Sequence, residues 1–243
     1  VAALKDGHGR VGSPRSGPVL QAPLTLDWIE EQFTVTRVPS DKPEGIAPGD
    51  RVLSIDGKPV DKAAAEARAL ISGATEQWIR YRMAAELARC NPDTKRITLE
   101  VEPFARLGTS KAVNLTCAPP KYKDKETYPE PRPDRIAELE PGIFYVDLDR
   151  VNEADWKAVT PRLEKAKGII FDMRGYPGRP GILALGHLTD TTIRCARWNV
   201  PEVTMPDRLN FRFNESGWDV KPEKPYFAAR RAFLTDGRAI SYA

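Results

Sequence analysis

Long apolar runs are missing from this 243-residue chain: none approaches the roughly 18 residues that a membrane-crossing helix requires, so no such helix is expected. Histidine occurs only as His8 and His187, and cysteine only as Cys90, Cys117 and Cys195. The cysteines are widely spaced and odd in number. They exclude a clustered metal-ligand pattern and allow at most one internal disulfide, which leaves the redox compartment open. A dominant charge is lacking too, since the net charge is +3 and the basic residues form no single long run. Neither a nucleic-acid partner nor a metal or other cofactor is expected on this basis. No secretory leader is legible, although the chain opens on Val1 rather than methionine, which is compatible with a leader already removed.

What is present is ordinary globular composition, 41% hydrophobic and 29% charged, over a length that suits one large or two ordinary domains. The 22 prolines gather at segment joints. Residues 24–38 alternate in the manner of a strand pair or one bent strand, interrupted at Glu30 and Glu31. In residues 45–60 a Pro48-Gly49 turn feeds a strand, an Asp56-Gly57 turn reverses it, and Val60 starts another. Asp61 is placed to cap a helix running to Ile71, a second helix is expected from Thr75 to Cys90, and residues 96–102 alternate as a half-buried strand. The polar stretch 105–140, stiffened by Pro129, Pro131 and Pro133, is expected to be a linker between a domain at 20–104 and another at 141–243, with 1–19 left as the end of an N-terminal region.

The second domain opens with an apolar strand at 143–148 and a helix capped by Asn152, in which Pro161 is expected to make a kink or a restart. A buried strand from Gly168 follows, ending in Asp172 and Arg174, and then a glycine loop at 175–181. Strand, helix, strand, loop is a βαβ arrangement. That loop lacks the Lys-Ser/Thr of a phosphate cradle and the dinucleotide glycine pattern, so nucleotide binding is set aside in favour of an oxyanion loop or a plain turn. At the far end, Phe233 and Leu234 begin a strand, Asp236-Gly237 turns the chain, and Ser241 stands at a helix start. Ser241 suits either an N-cap or a nucleophile at a tight elbow, with the Tyr242 amide behind it as an oxyanion donor. His8, between Gly7 and Gly9, suits a solvated loop or a general base. His187 suits a packed or capping position.

Taken together, these segments resemble a known family. Residues 45–60 resemble the bacterial form of the PDZ domain, with Pro23, Leu24, Thr25 and Leu26 falling where the carboxylate loop and receiving strand would lie. Residues 166–178 look like the Asp-Leu-Arg-Gly-Asn-x-Gly-Gly signature of the carboxyl-terminal processing, or tail-specific, serine proteases, and 234–243 look like their nucleophile segment. The resemblance implies a PDZ-like domain followed by a crotonase-like (ClpP/crotonase αββ) catalytic domain, an α/β and α+β chain whose family pattern continues past Ala243. It also implies a peptide or protein substrate and a periplasmic or secreted setting. By it the nucleophile falls on Ser241, the oxyanion amides on Gly178 and Tyr242, and, because Asp6-Gly7-His8 resembles the motif of the tricorn-like branch, the base on His8. The orienting acid is then expected beyond Ala243. Tyr176 and Arg179 depart from the signature's asparagine and second glycine. Two relatives of other function share the pattern: a hydrophobic-ligand-binding protein on the same fold, and a PDZ module that only captures peptide tails.

Overall fold

The computed structural model describes residues 2–9, 19–39, 45–119, 131–203, 205–207 and 210–239. The expected nucleophile Ser241 and donor Tyr242 lie outside the described residues. The chain forms two compact units, Val1–Pro131 and Arg132–Ala243, each mixed in α and β.

The first unit is built on an antiparallel sheet. Strands β1 (Thr25–Ile29) and β2 (Gln32–Arg37) form a hairpin. Its turn residues Glu30 and Glu31 both take positive φ, 48° and 62°, the backbone that matches the right-handed twist of the flanking strands. Strand β3 (Arg51–Ile55) turns at Asp56-Gly57 into a two-residue β4 (Lys58–Pro59). Helix α1 (Val60–Leu70) follows directly, with Pro59 rather than Asp61 in the cap position, so Val60 opens a helix and not the expected strand. Proline fits there because a helix start needs no amide donor from it. Helix α2 (Glu76–Leu87) is capped by Thr75, whose hydroxyl accepts from the Trp78 amide. Strand β5 (Arg96–Glu102) pairs with β6 (Lys111–Thr116), giving the order β1-β2-β3-β5-β6.

Strand β6 lies inside the stretch expected to be linker. Only Val113 and Leu115 point into the core from it, too few to show a period among lysine, asparagine and threonine. The core is formed by Leu24, Leu26, Phe33, Val35, Val52, Ile97, Leu99, Val101, Val113 and Leu115 with the inner side of α2. The buried Asp50 carboxylate closes the Pro48-Gly49 turn. It accepts from the Ala47 amide at 3.0 Å and from the Phe104 amide at 3.2 Å. Ahead of β1, Gln21 bridges both Arg89 and Ala118, and a Cys90–Cys117 disulfide joins the two flanking segments.

The second unit carries a four-stranded sheet in the order β12-β9-β8-β7. Strand β7 (Ile136–Glu140), also within the expected linker, pairs antiparallel with β8 (Ile143–Asp147). Helix α3 (Glu153–Leu163) begins with a capping box in which the Asn152 side chain accepts from the Asp155 amide and Asp155 accepts from the Asn152 amide. Pro161 sits in its last turn and the helix runs past it to Leu163. The chain then returns as β9 (Gly168–Asp172), parallel to β8. Helix α4 (Arg179–Gly186) takes over the second half of the expected glycine loop. A long hairpin, β10 (Ile193–Val203) and β11 (Phe211–Val220), precedes β12 (Arg230–Leu234), which runs parallel to β9. Phe233 and Leu234 therefore end this strand instead of beginning it.

The disulfide closes a loop with a sequence separation of 27. Reducing it, or replacing both cysteines by serine, is expected to lower unfolding free energy by about 2–4 kcal/mol. Urea unfolding with and without reductant measures this; identical midpoints would show that the crosslink does not form in solution.

Candidate active site

Parallel strands β8 and β9 end in register on two carboxylates, Asp147 and Asp172, neither of which is exposed to solvent. Two buried anions side by side are costly unless each finds partners, and here both do. Asp147 Oδ1 accepts from the amides of Asp149 at 3.0 Å and Arg150 at 3.1 Å. Its Oδ2 accepts from Arg132 Nη1 at 2.9 Å, Arg150 Nε at 2.7 Å and the Tyr145 hydroxyl at 3.3 Å. Asp172 accepts from the Arg174 amide at 2.9 Å, from the Arg174 guanidinium and, at 2.6 Å, from the Tyr145 hydroxyl. Burial by itself would push the Asp172 carboxyl up, but the donors from Arg174 and Tyr145 outweigh it and hold the group down at about 2. Burial and the bond to Asp172 push the Tyr145 phenol well above its ordinary value, so it stays a donor.

The glycine loop is fastened onto this network along its inner side. Arg132 Nη2 donates to the Arg174 carbonyl at 2.6 Å, the Tyr176 amide donates to Asp149 Oδ1 at 3.2 Å, and the Gly178 amide donates to the Leu148 carbonyl at 3.0 Å. Gly175 needs to be glycine twice over, because its φ is +132° and a Cβ there would lie 2.8 Å from the Asp149 carboxyl. The Gly178 amide, expected to face an oxyanion, thus points into the unit. At the start of α4, Pro180 has no amide hydrogen and Gly181 donates to the Gly178 carbonyl at 2.9 Å. The Arg179 amide is the first that the helix terminus leaves over.

His8 belongs to the first unit. Its Nδ1 lies 2.9 Å from Asp6 Oδ1, its amide donates to the same oxygen at 3.0 Å, and the Asp6 amide donates to the buried Ser72 hydroxyl at 3.0 Å. An acidic neighbour that the sequence reading sought beyond Ala243 is therefore present two residues away. The bond from the His8 amide, and then the ring, hold the Asp6 carboxyl below its usual range. His187 is a packed residue, as one of its two readings had it: Nδ1 is 2.7 Å from the Pro225 carbonyl and the ring stacks on Phe227 at 4.7 Å. Of the expected peptide-receiving residues, Leu24 and Leu26 are buried in the core and Thr25 is half-buried. Strand β1 is the sheet's terminal strand, and α2 packs on it, so what it presents outward is an edge of backbone.

Sequence reading missed Arg132, Tyr145, Asp147 and Arg150. One signal was available: both β8 and β9 are apolar runs that stop on aspartate.

The sign of the Asp172 shift fixes a pH dependence. Its folded value, about 2, lies below the ordinary value of about 3.9. Its contribution, on the order of 2 kcal/mol, is full above pH 4 or so and is lost as pH falls towards 2. Asp172→Asn should remove that step from urea-unfolding free energies measured between pH 5 and 2; an unchanged profile would disprove the assignment.

The chain matches no protein-family model and no curated protein. Among solved structures it overlaps a serine-to-alanine mutant of CPAF with a TM-score of 0.68 at 11% identity, over 99% of this chain and 68% of that one. With mature CPAF complexed with lactacystin the TM-score is 0.57 at 14% identity, over 82% of this chain. The aligned part spans only 50% of that mature chain. A photosystem II D1 C-terminal processing protease also aligns, at 14% identity over 91% of this chain and 55% of that one, but its TM-score of 0.33 carries no structural weight. What the two CPAF structures share with this chain is the fold.

Proposed function

We propose that this chain is part of a serine peptidase acting on protein tails or unstructured polypeptides. The observation that carries the reading is the pairing of β12 with β9. Both strands run in the same direction, with Leu234 beside Asp172 and the Met173 amide donating to the Leu234 carbonyl at 2.8 Å. The segment leading to Ser241 and the glycine loop therefore leave the sheet at one end, which is where the carboxyl ends of parallel strands place reactive groups. The fold shared with CPAF agrees with this, as does the crystallisation of CPAF as a serine-to-alanine mutant.

In the proposed mechanism Ser241 attacks a peptide carbonyl while His8 takes its proton, an acyl-enzyme forms with loss of the amine, and water hydrolyses it. The Tyr242 amide is one oxyanion donor. Gly178 can supply the other only by releasing the Leu148 carbonyl, whereas the Arg179 amide, one residue on at the helix N-terminus, has no such bond to break among the described residues. The reading takes the second unit as crotonase-like and of the tricorn-like, histidine-dependent branch. It gives the first unit the role of a PDZ module that receives substrate along the β1 edge by strand addition. The reading also takes the location as periplasmic or secreted, a setting in which a disulfide such as Cys90–Cys117 persists.

In the full-length protein, Ser241→Ala and His8→Ala should each lower cleavage of an unfolded substrate such as casein by about 1000-fold or more. A fluorophosphonate probe should label wild type at Ser241. Cleavage by Ser241→Ala at the wild-type rate would refute the reading.

A further inference from the structure

We infer that Arg132 is a positioning residue for the glycine loop, an inference that rests on the serine-peptidase reading for its catalytic consequence. Arg132 is where the chain enters the second unit, 42 residues ahead of Arg174. Its side chain is only 8% exposed, so the cation has been taken out of water and its bonding is fixed by the protein. One nitrogen donates to the Asp147 carboxylate at 2.9 Å and lies 4.0 Å from Asp172; the other donates to the Arg174 carbonyl at 2.6 Å. The first contact anchors the guanidinium to the ends of both parallel strands. The second carries that anchor to the backbone at the base of the loop.

Two features make this a positioning role more than a share in folding. Asp147 keeps Arg150, Tyr145 and two backbone amides when Arg132 is removed, so its charge is not left bare. The Arg174 carbonyl, by contrast, has Arg132 as the side-chain donor that spans from the strand ends to the loop. Arg150 Nη2 also holds the Pro133 carbonyl at 2.6 Å, which fixes the backbone from which Arg132 reaches in. The two acceptors are met by separate nitrogens of a planar fork; a lysine ammonium has one donor centre on a flexible stem and does not reproduce that fixed geometry. Arg174, Gly175 and Tyr176 lead directly to the amides of Gly178 and Arg179. A loop freed at its base misplaces those donors, and loss of an oxyanion donor costs about 100-fold to 1000-fold in rate.

The experiment uses full-length Arg132→Lys and Arg132→Met, checked for folding by near-UV circular dichroism. With a fluorogenic peptide, kcat is expected to fall by about 10-fold to 100-fold while KM moves less than about three-fold, a partial loss of the donor effect. A peptide boronate, which resembles the tetrahedral species, should lose affinity by the factor lost in kcat/KM. Amide hydrogen exchange in 174–178 should quicken by about 10-fold or more with the β8 and β9 amides unchanged. This last arm needs no catalysis, so it separates the two ideas. A wild type that ignores the fluorophosphonate probe sinks the peptidase reading, whereas unchanged loop exchange in folded Arg132→Lys sinks the positioning role. Wild-type kcat and boronate affinity in either folded variant would also overturn it, as would a rise in KM alone. If Arg132→Met does not fold, Arg132→Lys decides.

Discussion

A carboxylate with no access to water, Asp147, is the point on which the second unit turns. Ionised, it demands donors on both oxygens, and the chain supplies them from three directions: the turn after β8, the arginine at the unit's entry and the tyrosine one turn of the pleat earlier. Each donor is thereby fixed. The turn presents the Leu148 carbonyl and the Asp149 side chain to the glycine loop, and the arginine presents a second nitrogen to it. A loop with the oxyanion role proposed for this one needs placement to a fraction of an ångström. Electrostatic satisfaction of a buried anion delivers such placement more sharply than apolar packing could, because hydrogen bonds weaken steeply when bent or stretched.

The first unit is organised by a different constraint. Its sheet must end somewhere, and at one side it ends on β1, a strand whose Leu26 faces the core, as does Leu24 just before it, while its backbone edge stays unpaired among the described residues. Exposed edges invite pairing with other chains. Here the edge is short, with a register shift between Thr25 and Leu26, and Arg80 lies over the Trp28 ring beside it.

Elements with a strong period were legible in the sequence. Arg96–Glu102 alternates cleanly and is a strand; Asn152 followed by Asp155 announces a helix start and makes one. The βαβ order was legible for the same reason. Strand β6 was not, because two core residues among polar neighbours show no period, and β7 was hidden by the proline-rich stretch before it. Of the site, the glycines at 175 and 178 and the acidic strand end at Asp172 could be found from residue type. Arg132 could not: its role depends on a contact 42 residues away, and a lone arginine after Pro131 looks like any solvated linker cation. Which two of three cysteines pair was likewise undetermined until tertiary structure brought Cys90 and Cys117 together.

The Cys90–Cys117 crosslink has a consequence for the order of assembly. Its two cysteines flank the β5–β6 hairpin, and the Cys117 amide already bonds the Lys95 carbonyl when that hairpin is in register. The hairpin is a local pairing and forms with little loop-closure cost, whereas Gln21 must come from some seventy residues away to lie between Arg89 and Ala118. Local pairing therefore brings the thiols close without help from the Leu20–Ala22 segment, and the crosslink joins the two segments between which Gln21 pairs.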